Sequence, residues 1–289
     1  MGSVKSLVLA GAAAFVMIPG AFAADLAPLA PPMMPPRIQA PVEECCGGWY
    51  LRGDIGVGVI RNVKWFDSDN AAVGGSFVQQ ANADTTFVDV GVGFQWNNWL
   101  RVDATAEIRG ATEFKATDSL FNAFVFNPNG SFGSQQFNFF ETKVTSLVFM
   151  ANAFVDLGTW WCLTPFIGAG IGTAGNKVTG LTDLGAFSSG AVGGFGFADE
   201  ATKWNLAWAA HAGVAFNVSN NLKLEFAYRF LHLGDAVSGT LHCGNGCTSA
   251  PVEIRNIESH DFKIGMRWLL NEPAPPPQPI YQPPVMRKG

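Results

Sequence analysis

Between Trp49 and Leu270 polar and apolar residues alternate with a period of two, the spacing at which successive strand side chains leave on opposite faces. The first such segment, Trp49–Ile60, sets Trp49, Leu51, Ile55, Val57 and Val59 against Arg52, Asp54, Gly56 and Gly58. A second sets Val88, Val90, Val92, Phe94 and Trp96 against Asp89, Gly91, Gly93 and Gln95. In a third, Arg101, Asp103, Glu107 and Arg109 interleave with Val102, Ala104, Ala106 and Ile108. The fourth has Leu147, Phe149, Ala151, Ala153 and Val155 opposite Ser146, Asn152 and Asp156, with Val148, Met150 and Phe154 blurring the pattern. A fifth alternates Ile167, Ala169 and Ile171 with glycines, and the sixth sets Leu206, Trp208, Val214 and Phe216 against Asn205, His211, Gly213 and Asn217. The seventh is the cleanest, with Leu222, Leu224, Phe226, Tyr228 and Phe230 opposite Lys223, Glu225, Ala227 and Arg229, and the eighth sets Phe262, Ile264, Met266, Trp268 and Leu270 against Asp261, Lys263, Gly265 and Arg267. The pattern predicts an all-β fold, an eight-stranded antiparallel up-and-down barrel over residues 49–270.

Which face is buried depends on the solvent. In a soluble sheet the apolar set would face a core, whereas in a membrane barrel it faces lipid and the charges face inward. The connections after strands two, four and six are short, and those after one, three, five and seven are long and polar, at roughly 61–84, 110–138, 175–201 and 234–257. Outer-membrane barrels have this inequality, with short turns and both termini on the periplasmic side and long loops outside. Trp49, Trp96, Trp99, Trp160, Trp161 and Trp268 all fall at the strand ends nearest the short turns, where an aromatic girdle would meet the periplasmic boundary of the lipid. Only 14% of residues are charged, against a globular norm of about 25%, yet no apolar run after residue 23 is long enough for a spanning helix. A membrane barrel is therefore favoured over a soluble periplasmic barrel of lipocalin-like plan.

The start of the chain supports export. Lys5, the apolar run Leu7–Ile18, Pro19-Gly20 and the triplet Ala21-Phe22-Ala23 have the layout of a signal peptide over residues 1–23, with cleavage expected after Ala23. Proline-rich segments over 24–48 and 271–289 read as extended periplasmic tails. The net charge of −5 leaves no basic footprint for nucleic acid.

The polar faces collect seven cations, Arg52, Arg101, Arg109, Lys223, Arg229, Lys263 and Arg267, and seven anions, Asp54, Asp89, Asp103, Glu107, Asp156, Glu225 and Asp261. Balanced charges in a narrow lumen can pair, and a barrel of about eight strands is only wide enough for its own side chains. A plugged interior is the first expectation; a small pore for ions or solutes is the alternative. The glycines at period two make room for large neighbours and do not form a nucleotide-binding loop, because no strand-to-helix turn follows. The four histidines lack metal-ligand spacing, so no metal or cofactor is expected. Ser259, His260 and Asp261 are the one local cluster with hydrolase chemistry, but adjacent strand residues point apart, so no enzyme is expected. In an oxidising envelope Cys243 and Cys247 would close a small outer loop, and Cys162 would pair with Cys45 or Cys46, with the choice open.

The segments "GWYLRGDIGVG", "WLRVDATAEIRG", "ANAFVDLGTWWCLTPFIGAGIG" and "HDFKIGMRWLL" resemble, in order, the small surface antigens of alphaproteobacterial outer membranes, porin-family proteins similar to the OmpA transmembrane domain. That resemblance implies a role in envelope integrity and surface interaction. It implies outer-membrane lipid and lipopolysaccharide as surroundings, and host or environmental ligands met through the long loops. Lys263, Gly265, Trp268 and Leu270 also resemble the last-strand signal read by the barrel-assembly machinery, although here a proline-rich tail follows.

Overall fold

A computed structural model describes residues 47–270 apart from 62, 73–74, 81–82, 127–129, 131 and 189–191. The expected signal peptide, the proline-rich segments up to residue 46 and from residue 271, and with them Cys45 and Cys46, lie outside the described residues. Eight long strands form an antiparallel ring: β1 (Gly48–Arg61), β2 (Ala83–Gln95), β3 (Leu100–Phe126), β4 (Phe132–Asp156), β5 (Leu163–Phe187), β6 (Ala201–Asn217), β7 (Leu222–Val237) and β8 (Glu253–Leu269). Each pairs with its neighbour in sequence, and β8 closes on β1 from Tyr50↔Leu269 to Arg61↔Glu258. Closure leaves the ring without free edges, so the backbone groups of these strands bond one another.

The side chains sort by parity. Ile55, Val57, Val88, Val90, Ile108, Ile167, Phe226 and Ile264 are exposed on the outer wall, while Arg52, Asp54, Asp89, Asp103, Glu107 and Asp261 are buried inside. Glycine permits the tightest inner packing: a Cβ on Gly93 would overlap the Tyr50 ring, and one on Gly265 would overlap the Asp54 carboxylate. Gly93→Ala should therefore lower stability by about 1–3 kcal/mol through overpacking, measurable as a lower denaturant midpoint of the micelle-folded protein.

Two of the long connections are not the polar loops that composition suggests. Strands β3, β4 and β5 run on for 27, 25 and 25 residues and turn 110–138 and much of 175–201 into tall hairpins. The pairing of β3 with β4 passes from Arg109↔Ser146 to Thr112↔Val144, so β3 carries one extra residue there. This bulge moves the inward face from odd positions such as Glu107 and Arg109 to the even positions Thr112, Phe114 and Ala116. An alternation counted from Arg101 falls out of phase beyond Gly110, which hides the extension from a reading of the pattern. A second bulge lies between Lys143↔Thr179 and Glu141↔Thr182, at Gly180 with φ 60°.

These extensions have a core of their own. Phe114, Phe140, Val144, Leu181, Leu233, Leu241 and Ile254 are buried together with Trp65, which lies 6.0 Å from Phe140, ring to ring. Trp65 comes from a short strand, Lys64–Phe66, that pairs with β8, and Phe77 from another, Ser76–Gln80, that pairs with β3. Asp69 ties the first connection to the fourth by accepting from Ser249 Oγ at 2.8 Å and Ala250 N at 2.9 Å. The long-connection end is thus a folded apolar cap.

Candidate functional site

Beneath the cap, the inward positions of the ring strands place charged residues within reach of one another. One network centres on Arg52, which pairs with Asp54 at 2.5 Å, Asp103 at 2.7 Å and Glu225 at 3.5 Å. Glu225 also meets Arg267 at 2.9 Å and Arg101 at 3.5 Å, and Arg101 meets Asp156 at 3.2 Å. Lys263 lies 2.6 Å from Asp54 and 3.6 Å from Asp89. The Tyr50 hydroxyl and the Asn152 amide donate to Asp103 at 3.0 and 2.8 Å.

A second network is a square of alternating charge. Arg109 and Arg229 each bridge Glu107 and Asp261, at 2.9 and 2.7 Å for Arg109 and 2.6 Å to both for Arg229. Ser259 Oγ accepts from Arg109 at 2.7 Å and donates to Asp261 at 2.5 Å. All of these groups are almost fully buried, so each charge is stabilised by its partners rather than by water.

Lys223 differs from the other thirteen expected members. It is half-buried at the short-turn end, in register with Asn217 and Arg267. The fully buried set therefore holds six cations and seven anions, not equal numbers. Asp89 feels that imbalance: neither of its carboxylate oxygens has a hydrogen-bond partner, and Lys263 stands off at 3.6 Å.

Aromatic rings stand among the inward charges, a feature that strand counting does not assign. The Arg101 guanidinium lies 4.2 Å from the Phe154 centroid and 4.6 Å from that of Phe166. Arg109 and Arg229 lie 4.9 and 4.8 Å from Phe87. Phe154 and Phe87 sit at inward parity, so their apolar character is the misleading signal; stacked guanidinium keeps its charge while shedding water against a ring face. His211 packs edge-on to Phe154, with centroids 5.1 Å apart, and neither ring nitrogen has a hydrogen-bond partner.

The remaining residues singled out by the sequence are spread about. Trp49, Trp96, Trp99, Trp160, Trp161 and Trp268 are exposed around the short-turn end. Trp204 and Trp208 are exposed on β6 toward the cap, Trp204 stacked on Phe149 and Trp208 on His232. Lys263 and Gly265 face inward and Trp268 and Leu270 outward. Ser259 and Asp261 face the lumen, whereas His260 faces out and meets the Tyr228 hydroxyl at 2.7 Å, so the three do not converge. Cys243 and Cys247 are disulfide-bonded in the cap, and Cys162 is exposed in a short turn. No group of three metal-ligating side chains occurs among the described residues.

A charge-lined ring with an apolar outer wall is the architecture of a membrane barrel, and the family comparison agrees. Residues 30–268 match the model of the outer membrane protein beta-barrel domain. The chain belongs to the outer-membrane β-barrel protein family. This outer-membrane barrel is 30% identical to an uncharacterised protein of Brucella abortus, over 80% of this chain and 89% of that protein. It is 23% identical to a putative adhesin of Rickettsia typhi, over 76% of this chain and 87% of the other. Among solved structures it is similar to Neisserial surface protein A, with TM-score 0.39, 16% identity and coverage of 78% of this chain and 99% of that one. The barrel resides in the outer membrane, and its relatives include proteins named as putative adhesins.

Proposed function

We propose that this barrel is a structural and surface-interacting protein of the outer membrane, with a closed interior and no catalytic role. The observation that carries the surface role is a row of exposed apolar residues on the outer wall of the tall hairpins. Phe139, Leu184 and Phe195 lie side by side in register on β4, β5 and the short strand Val192–Ala198, with Phe197 beside them. Phe139 lies beyond Leu147 on β4 by eight positions, about 20 Å above it for a strand tilted near 40°. The ion pairs Lys115–Glu141 and Glu113–Lys143 intervene, so the row stands clear of the lipid-facing belt. An apolar patch held out in water in this way marks a contact surface.

In this reading the short turns, the tryptophan girdle and both termini are periplasmic, and the cap is extracellular. Residues 1–23 are removed on export after Ala23, and the assembly machinery reads Lys263, Gly265, Trp268 and Leu270 as β8 inserts. Lipopolysaccharide surrounds the outer half of the wall, and the hairpins carry host or environmental ligands. The small-pore alternative draws on the unpaired polar atoms of Asp89 and His211, which are places where lumenal water could bind.

Bacteria displaying the protein should adhere to cultured epithelial monolayers, and Leu184→Glu with Phe195→Glu should reduce adherence several-fold at equal surface abundance. Unchanged adherence would remove the contact role from this row.

A further inference from the structure

We infer that a recess on the outer face of the tall hairpins is a saccharide site, which takes a neutral hexopyranose unit of a glycan on the surface that the protein contacts. The inference rests on the contact reading above and names its ligand. The recess, about 520 Å³, is lined by outward side chains of β3, β4 and β5. Register lays these out as two adjacent rows. In one, Lys115 stands beside Glu141 and Glu141 beside Thr182; in the other, Thr117 stands beside Phe139 and Phe139 beside Leu184. The short strand Val192–Ala198 extends the rows, with Phe197 next to Thr182 and Phe195 next to Leu184.

The two bulges build this surface. Before Gly110 the outward positions of β3 are even, as at Ile108, and the extra residue there brings Lys115 and Thr117 out while Phe114 and Ala116 turn in. On β5 the outward positions are odd up to Lys177, and the bulge at Gly180 brings Thr182 and Leu184 out while Leu181 turns in. Bulges re-aim side chains in this way beside functional sites. In the earlier phase both strands would turn Phe114 and Leu181 outward here, and the polar row would not form.

The resulting surface has two chemical sides. Strand neighbours lie about 5 Å apart and alternate residues along a strand about 7 Å apart, so the polar and the apolar row reach one ring-sized ligand together. Glu141 accepts from hydroxyls, the Lys115 ammonium donates to them, and the threonine hydroxyls do both. Lys115 and Glu141 pair with each other, which holds both groups beside the ring of Phe139. Phe139 is half exposed, and the negative face of its ring attracts C–H groups. A hexopyranose carries the same division, hydroxyls at its rim and C–H groups on its face. A surface built for a protein would instead centre on apolar groups and put the polar ones around them. Charge selects further: Lys115 is matched by Glu141, and Lys143 by Glu113 at 3.4 Å, so the recess carries no net field toward a polyanion.

The test is saturation-transfer NMR of the full chain folded in micelles of a detergent without a sugar head group, titrated with neutral tetrasaccharides of hexose and N-acetylhexosamine and, separately, with heparin tetrasaccharide. At least one neutral tetrasaccharide should bind, and heparin should bind no more tightly. Glu141→Gln and Phe139→Ala should each weaken that binding at least about tenfold. Lys177→Gln, which breaks an exposed pair with Glu200 nearer the lipid belt, should leave it unchanged. Shifted gel mobility of the unboiled protein confirms that each variant is folded. Absence of binding to every neutral tetrasaccharide, tighter binding of heparin, or binding that survives both Glu141→Gln and Phe139→Ala would overturn the inference. So would adherence that is lost in the Leu184 and Phe195 variant yet retained on enzymatically deglycosylated monolayers, which assigns the row to a protein partner and leaves the contact role standing. Adherence unchanged in that variant, with neutral tetrasaccharide binding intact, would remove the contact role and keep the saccharide site.

Discussion

Asp261→Ala is expected to destabilise the barrel by about 3–5 kcal/mol, because the change strands two buried guanidinium groups at once. Asp261 is wholly buried and accepts from Arg109, Arg229 and Ser259. Removing it leaves Glu107 alone to compensate both arginines. Equilibrium urea unfolding in micelles should show the loss as a lower midpoint at constant slope. Lys115→Ala, which breaks a pair more than half exposed on each side, should cost less than about 1 kcal/mol in the same assay. Replacing Asp261 and Arg229 together by leucine should recover part of the loss, since an apolar pair leaves fewer charges uncompensated.

The second large effect concerns the outer wall. Ile55 is 62% exposed and lies in register with Val88 on one side and Ile264 on the other, midway along the lipid-facing part of β1. Ile55→Arg should cost about 2–4 kcal/mol in lipid vesicles, while Trp161→Arg at the short-turn end should cost about 0–1 kcal/mol. The unboiled protein should also lose its shifted mobility in gels more readily in the Ile55 variant. A barrel standing in water would show no such difference, because a charge at either exposed position is then nearly neutral.

Much of the ring is legible in the sequence because lipid and lumen impose opposite chemistry on alternate residues. Arg101, Asp103, Glu107 and Arg109 can be assigned to one face from spacing alone, and thirteen of the fourteen charged residues collected that way are buried within the lumen. Lys223 is the exception because parity gives direction and not depth, and it sits at the rim. Phe87, Phe154 and Phe166 escape such a reading because a guanidinium can stack on a ring inside a polar lumen, so an apolar residue at inward parity is no error of pattern. The cap is hidden by its bulges: one extra residue near Gly110 exchanges the two faces of β3, and the residues beyond it look irregular when counted in the earlier phase.

The central claim is that paired charges and an apolar cap close this barrel. Planar-bilayer recording of the purified, folded protein tests it most directly. The account predicts no stable conductance steps at neutral pH, with or without Glu107→Gln or Arg229→Gln. Reproducible steps whose size changes when Glu107 or Arg229 is neutralised would contradict it and establish a pore through the network.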